Sequence, residues 1–308
     1  MIRAICIGEA MIELRAAGDG LLARATAGDA YNTAVYLRRS LGDGAEVAFL
    51  TAFGDDSLSA ELRSDLIAED LDDRLAFHVK GRSPGLYMIE LDAQGERSFH
   101  YWRRESAARR WLAQLRAEGG GRLMAGADLV YFSGISLAIL DPDERAEALA
   151  MLGDLRGRVG RIAFDPNVRP ALWPDIRTAR GAVEAASAIS DIVLPSAADG
   201  ELIWDERLPQ LQIDRYRALG AKEIALTLGE AGVLLDCEGV SQQVPALSAK
   251  VVDTSGAGDS FNAAYLAARL RGLAANEAAR QGLALAATVV SSPGALIKRP
   301  SRPHSGDR

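Results

Sequence analysis

A doubly wound α/β fold, with a mainly parallel sheet and a small β lid, is what this sequence predicts. Three observations predict it. Short apolar runs alternate with amphipathic helical stretches along most of the 308 residues, the pattern of a parallel sheet with helices on both faces. That alternation breaks once, where Leu86-Tyr87-Met88-Ile89-Glu90-Leu91 and Arg97-Ser98-Phe99-His100-Tyr101-Trp102 flank Asp92-Ala93-Gln94-Gly95-Glu96, a hairpin signal. Near the C-terminus, Asp253-Thr254-Ser255-Gly256-Ala257-Gly258-Asp259-Ser260-Phe261 reads as a small-residue turn running straight into a helix.

Taken in order, residues 4–7 form a short apolar strand closed by Gly8, and 11–26 is mixed and turn-rich. A helix runs from about Asp29 to Leu41, with Ala34, Leu37 and Leu41 inward, and 47–53 is a buried strand. Asp55-Asp56-Ser57 caps a helix reaching about Asp70. The hairpin is assigned to a small β element set apart from the main sheet, together with residues 11–26. Alternation resumes at 129–134. Asp141-Pro142-Asp143-Glu144 combines a cap, a proline at the first helical position and first-turn acids, a helix start. Strands follow at 161–165, 192–194, 223–227 and 232–235, with a helix after Pro174. Val251 and Val252 read as a strand end before the small-residue turn. The helix behind the turn runs to about Leu270 and is expected to bury one face, made of Phe261, Ala264, Tyr265 and Ala268. A last helix spans 276–290. The expected organisation is one domain over 1–298, with a lid from about 11–26 and 80–105, and a disordered polar tail at 299–308.

Composition narrows the function classes. Net charge is −7 with acids and bases interspersed, which gives no reason to propose nucleic acid as a partner. Cys6 and Cys237 lie in apolar strand-like runs and read as packing residues in a reducing cytosol rather than a disulfide. His78, His100 and His304 show no metal-ligand spacing. The N-terminal apolar run is too short for a secretory signal and is interrupted by Glu9. The apolar run 282–290 is far shorter than the ~20 residues a membrane span needs. The reading is a cytoplasmic protein with no membrane partner.

Ligands of open parallel sheets bind at the carboxyl ends of the strands. The polar clusters Asp165-Pro166-Asn167-Val168-Arg169, Pro195-Ser196, Thr227-Leu228-Gly229 and the Gly256 turn all follow strand ends, so they should gather on one edge. The turn feeds a helix N-terminus, where unpaired N–H groups and the helix dipole favour an anion. Gly256 and Gly258 let the backbone come close. Asp259 then has two readings: a carboxylate placed for chemistry, or one of the many acids that favour a helix start. No Gly-x-Gly-x-x-Gly follows the first strand, which disfavours a nicotinamide dehydrogenase, and no Gly-Lys-Ser/Thr phosphate loop is present.

The 253–261 run resembles the C-terminal motif of the ribokinase-like (PfkB) sugar kinases, and Ala27-Gly28-Asp29-Ala30-Tyr31-Asn32-Thr33-Ala34 is similar to that family's sugar-binding segment. The resemblance spans about 4–297. Within the family, Tyr101-Trp102-Arg103, the stretch 133–140, and Phe164-Asp165-Pro166-Asn167-Val168-Arg169-Pro170 with Leu172-Trp173 resemble 2-keto-3-deoxygluconate kinases. The resemblance implies transfer of the γ-phosphate of Mg-ATP to a sugar hydroxyl. Asp259 would accept the hydroxyl proton, and the N–H groups of Ala257, Gly258 and Asp259, following Gly256, would hold the charge on the transferred phosphoryl. Gly28, Asp29 and Asn32 would meet sugar hydroxyls, although Asp29 is equally a helix cap by itself. Tyr87 is either a sugar contact or hairpin packing. For a sugar acid, Arg169 is the first choice to bind the carboxylate, with Arg103 and Tyr101 reaching down from the lid.

On the nucleotide side, Asn167, Ser196, Thr227, Gly229 and Gly232 match family ATP-site positions. Asp199, three after Ser196, stands where relatives carry an Asn-x-x-Glu pattern associated with Mg²⁺, and the change to Ser-x-x-Asp leaves the metal ligands unassigned. A monovalent cation such as K⁺ is a further implication. Two departures stand out: Ala27 where many relatives have glycine, and Ala264 where the motif usually ends in glycine. The alternatives are a kinase for a ketose, 2-keto-3-deoxygalactonate or a nucleoside, and a non-catalytic sugar-binding protein. Exposed lid-strand edges invite pairing with a second subunit, so a homo-oligomer is expected.

Overall fold

The structure, a computed structural model, describes residues 1–91 and 97–298. The hairpin turn expected at 92–96 and the tail at 299–308 lie outside the described residues.

The chain opens with β1 (Ile2–Ile7), β2 (Met11–Ala16) and β3 (Leu22–Ala27), then α1 (Asp29–Leu41), β4 (Ala45–Phe53), α2 (Ser57–Ala68) and β5 (Ala76–His78). The hairpin strands β6 (Gly85–Leu91) and β7 (Arg97–Trp102) lead to α3 (Trp111–Ala117) and β8 (Leu129–Ser133). Next come α4 (Gly134–Ala138), α5 (Pro142–Gly153), β9 (Arg161–Asp165), α6 (Ile176–Ile189), β10 (Ile192–Val193), α7 (Ala197–Trp204) and α8 (Pro209–Ala218). The chain ends with β11 (Glu223–Thr227), β12 (Val233–Cys237), β13 (Val240–Val244), α9 (Ala257–Leu270) and α10 (Ala275–Val290).

Among the described residues the strands form two sheets. The larger has nine strands in the order β13-β12-β11-β10-β9-β8-β1-β4-β5. It is parallel from β5 to β11 and antiparallel at the β11–β12–β13 edge. The smaller has four strands in the order β3-β2-β6-β7, and is the β element expected from 11–26 and the hairpin.

Both faces of the large sheet are covered, as the sequence pattern requires. In β1, Ala4 and Cys6 join one apolar cluster with α1, α9 and α10, while Ile5 and Ile7 join the other. β8 repeats this: Leu129 and Tyr131 face the first cluster, Val130 and Phe132 the second. The Phe132 ring packs at a tilt against Phe164 of β9, 4.9 Å between ring centroids.

Two expectations are corrected. Val251 and Val252 are outside any strand and more than half exposed. The N–H groups of Val252 and Asp253 both donate to the carbonyl of Val290, at 2.7 and 3.1 Å, so the end of α10 holds this segment and the sheet does not. Helix α9 does not bury one face. Every residue from Ser260 to Ala268 is buried, because α9 is wedged between the sheet, α1 and α10. Its alanines are what let three neighbours approach one helix. Ala264, the departure from glycine, is accommodated there at 5% exposure.

Candidate active site

The carboxyl ends of the parallel strands, the N-termini of α1 and α9 and the inner face of the smaller sheet enclose a cleft of about 520 Å³. The strand-end clusters do gather there: Asn167 and Arg169 beyond β9, Ser196 beyond β10 and Thr227 at the end of β11 all line it. So do Gly28, Asp29 and Asn32 of the α1 start, Gly256, Ala257, Gly258 and Asp259 of the α9 start, and Tyr87, Tyr101 and Arg103 of the lid. Gly229 and Gly232 do not line the cleft. They turn the chain from β11 into β12, with positive φ of 59° and 96°, and a Cβ on Gly232 would run into the Val244 carbonyl. Their signal in the sequence is thus that of a hairpin turn.

Three side-chain amides each donate to a carboxylate at the cleft floor. Asn32 Nδ2 reaches Asp259 Oδ2 at 2.8 Å, Asn167 Nδ2 reaches Asp29 Oδ2 at 2.9 Å, and Asn262 Nδ2 reaches Asp165 Oδ2 at 2.8 Å. Gly28 is the N-cap of α1 and Asp29 the first helical residue, with no side-chain cap bond. The capping reading of Asp29 therefore fails, and its carboxylate is turned to Asn167 instead.

These acids raise one another's proton affinity. Burial, then the neighbouring Asp29, pushes the Asp259 carboxyl up to about 7, against the opposing Asn32 hydrogen bond and the Arg169 charge. Burial, then Asp199, Asp259 and Asp29, pushes Asp165 well above the usual carboxylate range, with Arg169 opposing. A carboxylate near neutrality beside a reacting hydroxyl is suited to general base catalysis.

Gly256 caps α9 in the left-handed region, at φ 72° and ψ 4°, with no side-chain cap bond. A Cβ there would sit 2.6 Å from the Ala295 carbonyl oxygen, so both conformation and space require glycine. The Ala257 N–H already donates to the Thr254 carbonyl at 3.3 Å. Of the three N–H groups expected to meet an anion, those of Gly258 and Asp259 belong to the helix turn that lacks intrahelical acceptors.

Asp199 is buried and fully engaged. Its Oδ1 accepts from Val168 N at 2.7 Å, and its Oδ2 from Ser196 N and Oγ at 2.9 and 2.7 Å. Ser196 and Asp199 form the reciprocal capping box of α7, which accounts for the Ser-x-x-Asp pattern. Among the described residues no group of three or more His, Cys, Asp or Glu is arranged to hold a metal ion. An excess of buried carboxylates nevertheless suits a cation that arrives with phosphates, since Mg²⁺ keeps waters and uses few protein ligands.

On the lid, the Tyr87 hydroxyl donates to Glu13, and the same side chain lines the cleft. Its ring lies 5.7 Å from that of Tyr101 and 6.3 Å from that of Phe99. Arg103 is paired with Glu9, whereas Arg169 is exposed and donates to the Val168 carbonyl at 3.2 Å. Sequence reasoning passed over Glu9, Phe99, Asp165 and Asn262 as site residues, and all four line the cleft. A signal for Glu9 existed: an acid set two residues past a buried strand, where burial of a charge demands a partner.

The pfkB family carbohydrate kinase profile matches residues 1–302. The chain belongs to the pfkB family of carbohydrate kinases. Among its relatives, a 2-dehydro-3-deoxygluconokinase of Dickeya dadantii is 39% identical over 302 residues, covering 96% of this chain and 97% of that protein. One from Escherichia coli is 38% identical over the same shares of both chains. Among solved structures, a PfkB protein from a Polaromonas species superposes with a TM-score of 0.82 at 28% identity, covering 96% of this chain and 98% of that one. A Vibrio cholerae fructokinase with fructose, ADP and calcium bound gives the same TM-score at 22% identity, which speaks for the fold alone. As a family member, the protein is a sugar kinase whose cleft must take a nucleotide and a sugar. No helix among the described residues is long and apolar enough to cross a membrane.

Proposed function

We propose that this kinase transfers the γ-phosphoryl group of ATP to a hydroxyl of a sugar acid, 2-keto-3-deoxygluconate, giving its 6-phosphate. The observation that carries the reading is full-length similarity to 2-dehydro-3-deoxygluconokinases, together with an exposed arginine, Arg169, on the same cleft as Asp259. A guanidinium binds a carboxylate through two parallel hydrogen bonds, and a neutral sugar gives no reason for it.

In this reading Asp259 Oδ1 or Oδ2 takes the proton of the attacking hydroxyl. The acceptor hydroxyl oxygen forms the new bond to the γ-phosphorus, the bond from that phosphorus to the β–γ bridging oxygen breaks, and ADP leaves with the bridging oxygen. Gly258 and Asp259 N–H groups, at the positive end of α9, hold the charge on the equatorial oxygens. Asn32 orients the Asp259 carboxylate, and Asn167 ties Asp29 to the nucleotide side. Mg²⁺, bound through the phosphates, would neutralise charge that the buried carboxylates otherwise repel. Tyr101 and Arg103 close the acceptor side, and Ser196 and Thr227 border the nucleotide. A domain spanning 1–298, a cytoplasmic location, a site for a monovalent cation such as K⁺ and a homo-oligomer paired through lid edges complete the proposal.

A coupled ADP-release assay over a panel of sugar acids and neutral sugars tests it. Turnover on 2-keto-3-deoxygluconate, and at least tenfold loss of acceptor kcat/KM in Arg169→Ala, is expected for a lost charge-assisted contact. Turnover confined to ketoses would refute the acid acceptor; a Klebsiella pneumoniae fructokinase, 30% identical over 88% of this chain, is the relative that favours that second reading.

A further inference from the structure

Glu9 lies two residues past β1 and is 2% exposed. Arg103 follows β7 directly, and its guanidinium Nη2 donates to Glu9 Oε2. The two side chains are 9% and 1% exposed, for arginine and glutamate respectively. The pair is incompletely satisfied: Glu9 Oε1 and Arg103 Nε are buried without a hydrogen-bond partner among the described residues. A half-satisfied buried ion pair is a poor device for stability, because desolvation of two charges offsets their attraction.

The surrounding backbone is shaped to admit it. A Cβ on Gly85, the first residue of β6, would sit 2.5 Å from Glu9 Oε1 and 3.1 Å from Arg103 Cβ. A Cβ on Gly28, the N-cap of α1, would collide with the Glu9 carbonyl. The Glu9 side chain thus connects the segment after β1 to Arg103 at the end of the lid's edge strand β7, against Gly85 at the start of β6. On the other side of the lid the ties to α2 are Arg24 with Glu61 and Thr26 with Asp65. The first of these is about half exposed on both partners, and such surface pairs contribute about 0–1 kcal/mol. The buried pair is the stiff connection.

We propose that Glu9 is a positioning residue for acceptor recognition: its ion pair with Arg103 latches the lid to the core and fixes the guanidinium at the mouth of the acceptor side. Because Glu9 neutralises Arg103, the acceptor carboxylate meets the net charge of Arg169 and an oriented, charge-compensated donor in Arg103. This last point rests on the sugar-acid reading above; the latch does not.

The test is a double-mutant cycle with Glu9→Gln and Arg103→Ala, read as separate KM values for acceptor and ATP, on whichever acceptor the wild type turns over. Glu9→Gln is expected to raise the acceptor KM about tenfold, with kcat and the ATP KM within about twofold, and the double variant no worse than Arg103→Ala alone. In the free protein, amide exchange should quicken about tenfold in β6 and β7 and stay unchanged in β8 and β9. An acceptor KM within twofold of wild type, additive effects in the cycle, or a parallel loss of kcat and ATP affinity would overturn the proposal. Wild-type turnover on neutral sugars alone would refute the acid reading while leaving the cycle decisive for Glu9. If no acceptor on the panel is turned over, unchanged lid exchange in Glu9→Gln is sufficient to reject the latch.

Discussion

Replacing Asp259 with asparagine should make the protein more stable in alkaline solution while ending phosphoryl transfer. The Asp259 carboxyl is raised from 3.8 to about 7 by burial and by Asp29. A carboxyl whose folded value lies above its unfolded value stabilises the fold fully below the unfolded value, and that contribution disappears as pH rises through about 7. The full difference corresponds to about 4 kcal/mol. Asp259 is only half-buried, so solvent screening reduces the expected effect to about 1–3 kcal/mol. Asparagine is nearly isosteric, cannot ionise, and can turn its own carbonyl toward Asn32 Nδ2. Urea unfolding at about pH 3.5, where Asp259 is mostly protonated in both the folded and the unfolded chain, should show the variant and wild type within about 0.5 kcal/mol, and the variant's advantage should grow as pH rises above the unfolded value of 3.8. At pH 8 the variant should be the more stable. In parallel, wild-type kcat/KM should rise through a pKa near 7 as the base is freed, and the variant should bind ATP with little change. A stability difference that is the same at both pH values, or substantial residual turnover, would refute the assignment of Asp259 as a strained base.

Other substitutions separate structure from chemistry. Gly256→Ala places a Cβ at φ 72° and 2.6 Å from the Ala295 carbonyl; it should cost about 1–3 kcal/mol in urea melts and lower kcat, since the anion turn must shift. Asp199→Asn removes a carboxylate that holds Val168 N and both Ser196 groups, and should cost about 1–3 kcal/mol. Its Mg²⁺ activation midpoint should stay within twofold, and a large shift would return Asp199 to the metal. Glu223, the buried first residue of β11, accepts from Tyr265 at 2.7 Å and from Arg269 at 2.8 and 2.7 Å. Glu223→Ala should cost about 3–5 kcal/mol by stranding Arg269, with both KM values unchanged.

What the sequence made legible follows from the range of the interactions. α1 was readable to the residue because its ends are local events, a glycine before Asp29 and another after Leu41. Asp56 as the cap of α2 was readable for the same reason, since its Oδ1 accepts from Leu58 and Ser59. The edge strand β13 was missed because all its residues but Val244 are exposed, so it carries no apolar period. The all-round burial of α9 was missed because alanine scores weakly as a core residue, and only tertiary neighbours reveal that it is packed. In the site, motif matching found the groups that touch the cleft from strand ends and helix starts. It did not find Glu9 or Asn262, whose roles are set by partners 94 and 97 residues away. Gly229 and Gly232, matched to nucleotide-site positions, stand in the turn between β11 and β12, just beyond Thr227 at the cleft, and in one dimension a turn glycine and a phosphate-cradling glycine look alike.

The embedding of α9 gives heat inactivation two separable stages. The turn that would bind phosphate is exposed or half-buried, but the helix it leads into is buried throughout from Ser260 to Ala268, so the helix that carries the carboxylate should loosen only when the domain does. The sheet that shapes the acceptor pocket has fewer buried ties and can come away earlier. On warming, discrimination between sugars should degrade before the capacity to hydrolyse or transfer phosphate is lost, and the temperature at which that capacity ends should coincide with the melting point. Thermostabilising changes placed in the lid would then improve fidelity at high temperature, whereas those placed around α9 would extend lifetime.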